Sequence, residues 1–386
     1  MKITDNSAIH YIGCDDTDLD LFENQYIVPE GMAYNSYLIE DEKIAITDTI
    51  DIRKSAEWQE KLLTVLNGRQ PDYLIVHHLE PDHAANIGWV MKTFANCKIV
   101  CSAKAVAFLP QFFDYDFTGR VQMVKEGETL SLGTHTLQFI MAPMVHWPEV
   151  MMSYEQSEKV LFSADAFGKF GALCNETDDW ACEARRYYFN ICGKYGGPVQ
   201  TVLKKAAALD IQTICPLHGP ILKENLGYYL GLYQTWSAYQ PETEGVFVAY
   251  ASLHGNTAKA AEELAAMLEA KGIKVAISDL SRSDIAECVE DAFRYSQMVL
   301  CASSYDGGVM PLMRDFLCHL TDKAYQKRTV ALVENGSWAP SAARTMRTML
   351  EAMKEITILD KVVTIKSTLN ADSRAALTEL AEQLSK

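Results

Sequence analysis

No C-x-x-C pair occurs in this chain, although it holds ten cysteines. They are scattered, mostly within apolar segments, as Cys14, Cys97, Cys101, Cys174, Cys182, Cys192, Cys215, Cys288, Cys301 and Cys318. That distribution predicts reduced, mostly buried thiols and speaks against disulfides, a structural zinc, or a fused iron–sulfur or rubredoxin module. Basic residues are scarce too: 35 Lys and Arg face 51 Asp and Glu, a net charge of −16. A field of that sign repels nucleic acid and anionic lipid, so neither is an expected partner. No uninterrupted apolar run approaches the roughly 20 residues that span a bilayer, and the opening segment has no apolar core flanked by basic residues. A cytoplasmic location is expected.

Apolar residues make up 48% and charged residues 22% of the 386 positions, the balance of a globular enzyme with room for two domains. From about residue 246, short β-branched strands alternate with amphipathic helices, the sign of a doubly wound parallel sheet. Expected strands are Val246–Ala251, Ile273–Asp279, Met298–Ala302, Thr329–Val333 and a long, interrupted Ile356–Ile365, with a helix over Thr257–Lys271 stopped by Gly272. The earlier part resembles an αββα sandwich. It has hairpin-like pairs such as Tyr37–Glu40 with Ile44–Thr47, then helices, then strand-like stretches at Leu130–Leu137 and Val150–Leu161. The polar segment Tyr239–Gly245 marks the change, giving domains 1–243 and 244–386.

After the apolar Tyr73–Val76 comes His77-His78-Leu79-Glu80-Pro81-Asp82-His83. Four nitrogen or oxygen ligand types, His78, Glu80, Asp82 and His83, lie within six residues just past a strand end, where residues two apart project to the same side. His77 falls outside that alternation. His146, Asp165 and His218 each follow an apolar stretch downstream, and each could be delivered to a shared site.

Directly after Val246–Ala251 comes Ser252-Leu253-His254-Gly255-Asn256-Thr257, with the helix following at once. Hydroxyls at both ends, a Gly and free helix N-terminal N–H groups make a phosphate cradle that needs no lysine. It is not a nucleoside triphosphate loop, since no Gly-Lys-Ser/Thr ending is present, nor is there a G-x-G-x-x-G. The third strand leads into Ser303-Ser304-Tyr305-Asp306-Gly307-Gly308 and the fourth into Glu334-Asn335-Gly336-Ser337-Trp338. Three loops at the carboxyl ends of neighbouring parallel strands meet at a topological switch point, where flavodoxin-like folds bind FMN. Residues 246–386 resemble a flavodoxin domain, in which Asn335, Gly336 and Ser337 would join the loop amides at the flavin's polar edge. Tyr305 or Trp338 could pack on its ring.

The metal constellation resembles the binuclear site of the metallo-β-lactamase superfamily and, within it, the flavodiiron proteins, also called A-type flavoproteins. Hydrolases of that superfamily usually carry His where this chain has Glu80. The flavodiiron pattern His-x-Glu-x-Asp-His, then His, Asp and His, is complete here. Sixty-two residues separate His83 from His146, 18 separate His146 from Asp165, and 52 separate Asp165 from His218, the last gap being shorter than in some members. The resemblance implies that His78, Glu80 and His146 hold one non-haem iron, Asp82, His83 and His218 the other, and Asp165 bridges them. It also points to Trp147 and Tyr195 as groups beside bound gas. The implied activity is transfer of electrons from FMN to two irons, which reduce dioxygen to water, nitric oxide to nitrous oxide, or both. The implied partners are a donor such as rubredoxin and a second copy of the chain in a head-to-tail homodimer. FMN and the two irons together store four electrons, the number one dioxygen needs. The alternative is a binuclear zinc hydrolase fused to a flavodoxin domain, which Glu80 disfavours because an anionic oxygen ligand suits ferric iron.

Overall fold

A computed structural model describes residues 2–4, 7–175 and 179–386. The chain divides into two units, Met1–Tyr188 with Gly197–Gln234, and Phe189–Gly196 with Thr235–Lys386. The first is built on two facing sheets. One sheet runs, in spatial order, Ile9–Tyr11, Tyr37–Ile39, Ala45–Thr47, Tyr73–Ile75, Lys98–Ser102 and Val121–Val124. The other runs Thr129–Ser131, Thr136–Met141, Met151–Glu155, Val160–Phe162 and Thr213–Cys215. Ile9, Ile39, Ile75 and Val100 of the first pack against Leu137, Phe139, Met151 and Phe162 of the second. Burying each such side chain fully is worth roughly 1.5–3 kcal/mol relative to leaving it in water. On the helix Ser55–Leu66, Trp58, Leu62 and Leu66 recur every four residues and are buried, and Asn67 ends it in the left-handed region at φ 45°.

The second unit is a five-stranded parallel sheet in the order Val275–Asp279, Thr243–Ala251, Tyr295–Tyr305, Arg328–Asn335 and Ile356–Ile365, with the two-residue strand Gly308–Val309 folded back onto the third. That is the flavodoxin order, in which the chain starts second from one edge, fills that edge, and then crosses to the other side. The expected interruption of the last strand is a register shift between Val330 and Leu332, opposite Ile358 and Val362. Ala260, Ala261, Leu264 and Leu268 of the helix Asn256–Glu269 pack on Val246, Val248, Val299 and Cys301.

Several expected boundaries move. Leu130–Leu137 is a hairpin, turning through Gly133 at φ 133° between Thr129–Ser131 and Thr136–Met141. Val150–Leu161 likewise holds two antiparallel strands, Met151–Glu155 and Val160–Phe162, with Lys159 at φ 60° in the turn. Apolar residues on both sides of each turn hid it from the periodicity. The helix expected over Thr257–Lys271 spans Asn256–Glu269, and the strand expected from Ile273 starts at Val275. Thr243–Gly245, read as part of a linker, already belongs to the first parallel strand. Phe189 stacks on Phe293 at 4.3 Å, and the Asn190 side chain donates to the Ala286 carbonyl at 3.1 Å, which ties 189–196 to the second unit. All ten cysteines are unbridged thiols, seven of them buried. Among the described residues no helix is long and apolar enough to cross a membrane.

Candidate metal and flavin sites

In the first unit, strand ends deliver the candidate ligands to one edge of the sandwich. His78 follows Tyr73–Ile75, Asp165 follows Val160–Phe162, and His218 follows Thr213–Cys215. His146 sits in the loop between Thr136–Met141 and Met151–Glu155. Glu80 is the N-cap of the short helix Pro81–Ala84 and makes no capping bond, which leaves its carboxylate free for the site. Asp82 and His83 are reached by that helical turn, so extended alternation applies to His78 and Glu80 only.

The seven side chains form two groups, His78, Glu80, His146 and Asp165, and Asp82, His83 and His218, with the ligand atoms in each group within 4.8 Å of one another. Glu80 Oε2 lies 3.2 Å from His78 Nε2 and 3.0 Å from His146 Nε2. His83 and His218 bring their Nε2 atoms to 3.1 Å, with Asp82 Oδ2 at 3.4 and 3.3 Å. Asp165 turns one oxygen to each group. Its Oδ2 is 3.4 Å from His78 Nε2 and 3.5 Å from His146 Nε2, and its Oδ1 is 3.3 Å from His83 Nε2 and 3.7 Å from His218 Nε2.

This donor set fits two cations. Both carboxylate oxygens of Asp82 and of Asp165 are buried without a hydrogen-bond donor, a costly state for a carboxylate unless a cation completes it. Without metal the cluster organises itself as ions. Burial opposes a charged His83, but Asp82 and Asp165 outweigh it and push the ring up to about 9. His78 is also raised well above its ordinary value, with burial opposing and Asp165, Glu149 and Glu80 prevailing. Burial would raise Asp165 and Glu80, yet the surrounding imidazoles hold both well below the usual carboxylate range.

Trp147 meets the His78 ring edge-on at 5.0 Å and the His146 ring at 6.0 Å. Tyr195 lies in the turn Gly193–Tyr195, which groups with the second unit, and belongs to neither ligand group. Sequence reasoning missed Asp48 and Glu149. Asp48 Oδ1 accepts the backbone N–H of His77 at 2.7 Å and of His78 at 3.3 Å, while its Oδ2 lies 2.5 Å from His77 Nδ1. His77 Nε2 meets Ser153 Oγ at 2.8 Å, so His77 joins the two sheets beneath the site. Glu149 Oε1 lies 2.7 Å from His78 Nδ1 and accepts Leu79 N–H at 3.0 Å. Asp48 could have been noticed as an acid directly after the strand ending at Thr47, and Glu149 as an acid three residues past His146. A cavity of about 370 Å³ opens beside Glu80 and Asp82, lined also by Leu21, Phe22, Tyr34 and Asp51.

In the second unit, Gly255 at φ 87° starts the helix Asn256–Glu269 with no side-chain cap, leaving its first-turn N–H groups free to meet an anion. Ser252 Oγ accepts the Gly255 N–H at 3.1 Å, and Thr257 Oγ1 lies 2.9 Å from Ser303 Oγ. A cavity of about 420 Å³ lies over the strand ends, lined by Ser252, Leu253, His254, Asn256, Thr257, Ser303, Ser304, Tyr305, Asp306, Gly307, Asn335, Gly336, Ser337 and Trp338. Gly255 and Gly308 do not line it: the first caps the helix, and the second pairs with Tyr305 in the return strand. Ala339, Ser341 and Ser367 line it unforeseen. Polar loops around a cleft at an uncapped helix fit FMN, with its phosphate at the helix end.

A metallo-β-lactamase-like sandwich carrying a seven-residue binuclear donor set, followed by a flavodoxin-like sheet, defines a class of two-cofactor proteins. The family model described as ODP family beta lactamase matches residues 32–219, and the flavodoxin model matches 248–383. A diflavin flavoprotein of Synechocystis is 31% identical over 338 residues, 84% of this chain and 57% of that one. The anaerobic nitric oxide reductase flavorubredoxin of Escherichia coli is 28% identical over 365 residues, 91% of this chain and 75% of that one. Among solved structures, the rubredoxin oxygen:oxidoreductase of Desulfovibrio gigas superposes with a TM-score of 0.92 at 26% identity, covering 100% of this chain and 97% of that one. A variant of the flavo di-iron protein of Thermotoga maritima gives a TM-score of 0.90 at 26% identity, again covering 100% and 97%. The chain belongs to the flavodiiron proteins, whose cofactors, FMN and two non-haem irons, are those the two sites fit.

Proposed function

We propose that this chain is a flavodiiron oxidoreductase that reduces dioxygen to water, nitric oxide to nitrous oxide, or both, using electrons from an external donor such as rubredoxin. Residues 1–243 would form the di-iron domain and 244–386 the FMN domain. The observation that carries the reading is Asp165 with one oxygen toward each ligand group, together with Glu80 where the hydrolases usually have His. When bound, the flavin and iron pair supply stored electrons and open positions for a diatomic gas. The chain's own part is to hold them. His78, Glu80 and His146 would take one iron, Asp82, His83 and His218 the other, and Asp165 both. The three carboxylates offset most of the metal charge in a buried setting. Trp147 and its neighbour Phe112, 6.3 Å away, shield the His78 side from water, while the cavity beside Glu80 and Asp82 gives gas a way in. Anaerobically purified protein should hold two irons and one FMN per chain and consume gas when given a reductant. Stoichiometric zinc in protein made with ample iron would overturn the reading.

Metal uptake should release protons. A ligating imidazole must be neutral, whereas His83 in the metal-free protein titrates at about 9, so at pH 7 the cation displaces its proton. Apparent affinity for ferrous iron should climb about tenfold per pH unit for each proton displaced, and level off above about pH 9. The stability sign is opposite. A raised histidine contributes stability that is complete below its ordinary 6.5 and lost as pH rises through about 9. Melting temperatures of chelated protein should fall across that window while those of loaded protein hold. Calorimetry in buffers of different ionisation enthalpy checks the first expectation, and no proton release would contradict it.

The proposed assembly is a head-to-tail homodimer in which the FMN of one chain serves the irons of the other. Mixing an Asp165→Ala chain with a Thr257→Glu chain, then dissociating and reassociating them at equal concentration, should restore about a quarter of wild-type activity, because half the dimers are mixed and each has one working site. Verified mixed dimers with no activity would rule out transfer between chains.

A further inference from the structure

The two ligand groups treat the outer nitrogens of their histidines differently. His218 Nδ1 meets the carbonyl of Ala33 at 2.8 Å, a neutral acceptor, and His83 Nδ1 is buried with no hydrogen-bond partner. His78 Nδ1 instead meets the carboxylate of Glu149 at 2.7 Å. Glu149 is 1% exposed, its Oε1 also accepts the Leu79 N–H, and its Oε2 has no hydrogen-bond partner. Its backbone is fixed as well, since Ser102 Oγ donates to the Glu149 carbonyl at 2.7 Å. Orienting a ring requires only an acceptor, and the Ala33 carbonyl serves that need for His218. Burying a carboxylate for the same purpose is costly, and here half of it is unsatisfied. The charge itself is therefore the feature to explain.

With Nδ1–H held by Glu149, the nitrogen that must give up its proton to a cation is Nε2, which faces Glu80 at 3.2 Å and Asp165 at 3.4 Å, the direction of the proposed cation. A carboxylate on the outer N–H also makes the imidazole a stronger electron donor. We propose that Glu149 is a positioning residue that fixes the tautomer of His78 and lends its negative charge to one metal position only. The His78–Glu80–His146 position then binds its cation more tightly and gives up an electron more readily than the Asp82–His83–His218 position. This rests on the ligand reading given above.

The test uses Glu149→Gln, which keeps an acceptor for His78 Nδ1–H and Leu79 N–H but removes the charge. Metal-free protein is titrated with cobalt(II) against a competing chelator. One of two binding steps should weaken about tenfold and the other should stay unchanged. In iron-loaded protein the midpoint of one metal reduction step should move upward, and Glu149→Asp should restore part of both effects. A Gln variant with wild-type affinities and midpoints would show that Glu149 is only a steric post, and equal weakening of both steps would refute the local charge effect. If wild-type protein binds fewer than two cobalt ions, the ligand reading fails and takes this inference with it. Should the Gln variant not fold, zinc-loaded wild-type protein decides by NMR: a far-downfield, exchange-protected Nδ1 proton on His78 is expected, and its absence overturns the proposal.

Discussion

Glu80→His should abolish gas reduction while leaving FMN fully bound. Glu80 Oε2 stands between His78 Nε2 and His146 Nε2, at 3.2 and 3.0 Å, so any cation held by those rings must also meet this carboxylate. Substituting a neutral imidazole leaves two carboxylates instead of three at the cluster and makes the loaded centre one charge more positive. Ferric iron, hard and highly charged, loses the most from that exchange, and zinc gains relative to iron from an added nitrogen ligand. The purified variant should carry more zinc than iron and consume gas at least a hundredfold more slowly, with an unchanged flavin spectrum. The flavin cleft is built from residues 252–254, 256–257, 303–307 and 335–338 of the other unit, so retained yellow colour shows that the flavin unit has folded, and bound zinc shows that the ligand cluster has. Oxygen consumption at the wild-type rate would show that Glu80 is not a ligand.

The parts of both sites that could be read from the sequence are those where chemistry sits next to a strand end in the chain. Ser252–Thr257, Ser303–Gly308 and Asn335–Trp338 each follow a short, mostly apolar run, so locating the strands located the loops. His78–His83 was visible for the same reason, as a dense cluster just past an apolar run. Contacts made by folding were invisible. Glu149 reaches His78 across 71 positions, and Asp48 reaches His77 across 29; nothing local distinguishes either from a surface acid. The two missed hairpins failed differently. Leu130 and Leu132 before one turn and Leu137 after it are all buried, so apolar pattern alone joins two strands into one, and only Gly133 marks the reversal. The boundary expected at Tyr239–Gly245 rests on composition, whereas the stretch 189–196 groups with the second unit through the Phe189–Phe293 stack, a contact closed by tertiary packing.

Thr257→Glu should expel FMN and spare the metal site. Thr257 is 1% exposed in the first turn of the helix Asn256–Glu269, and its hydroxyl lies 2.9 Å from Ser303 Oγ. No side chain caps that helix, so the free N–H groups and these hydroxyls together would form the proposed anion seat. A carboxylate placed there would compete for the same donors and would repel a phosphate dianion at close range, where little water screens it. Loss of charge-assisted hydrogen bonds together with that repulsion should weaken FMN binding by a hundredfold or more. The protein should purify colourless, with its iron content unchanged. Because a glutamate is larger than the buried threonine it replaces, Thr257→Val serves as the companion: it keeps the shape, removes one hydroxyl, and should weaken FMN roughly tenfold. The two variants distinguish a misfolded flavodoxin unit from a disrupted phosphate seat, since a packing defect confined to the larger glutamate would spare the valine variant, whereas a seat that uses the Thr257 hydroxyl would lose affinity in both. Full flavin occupancy in the glutamate variant, or wild-type affinity in the valine variant, would place the phosphate elsewhere along the strand ends.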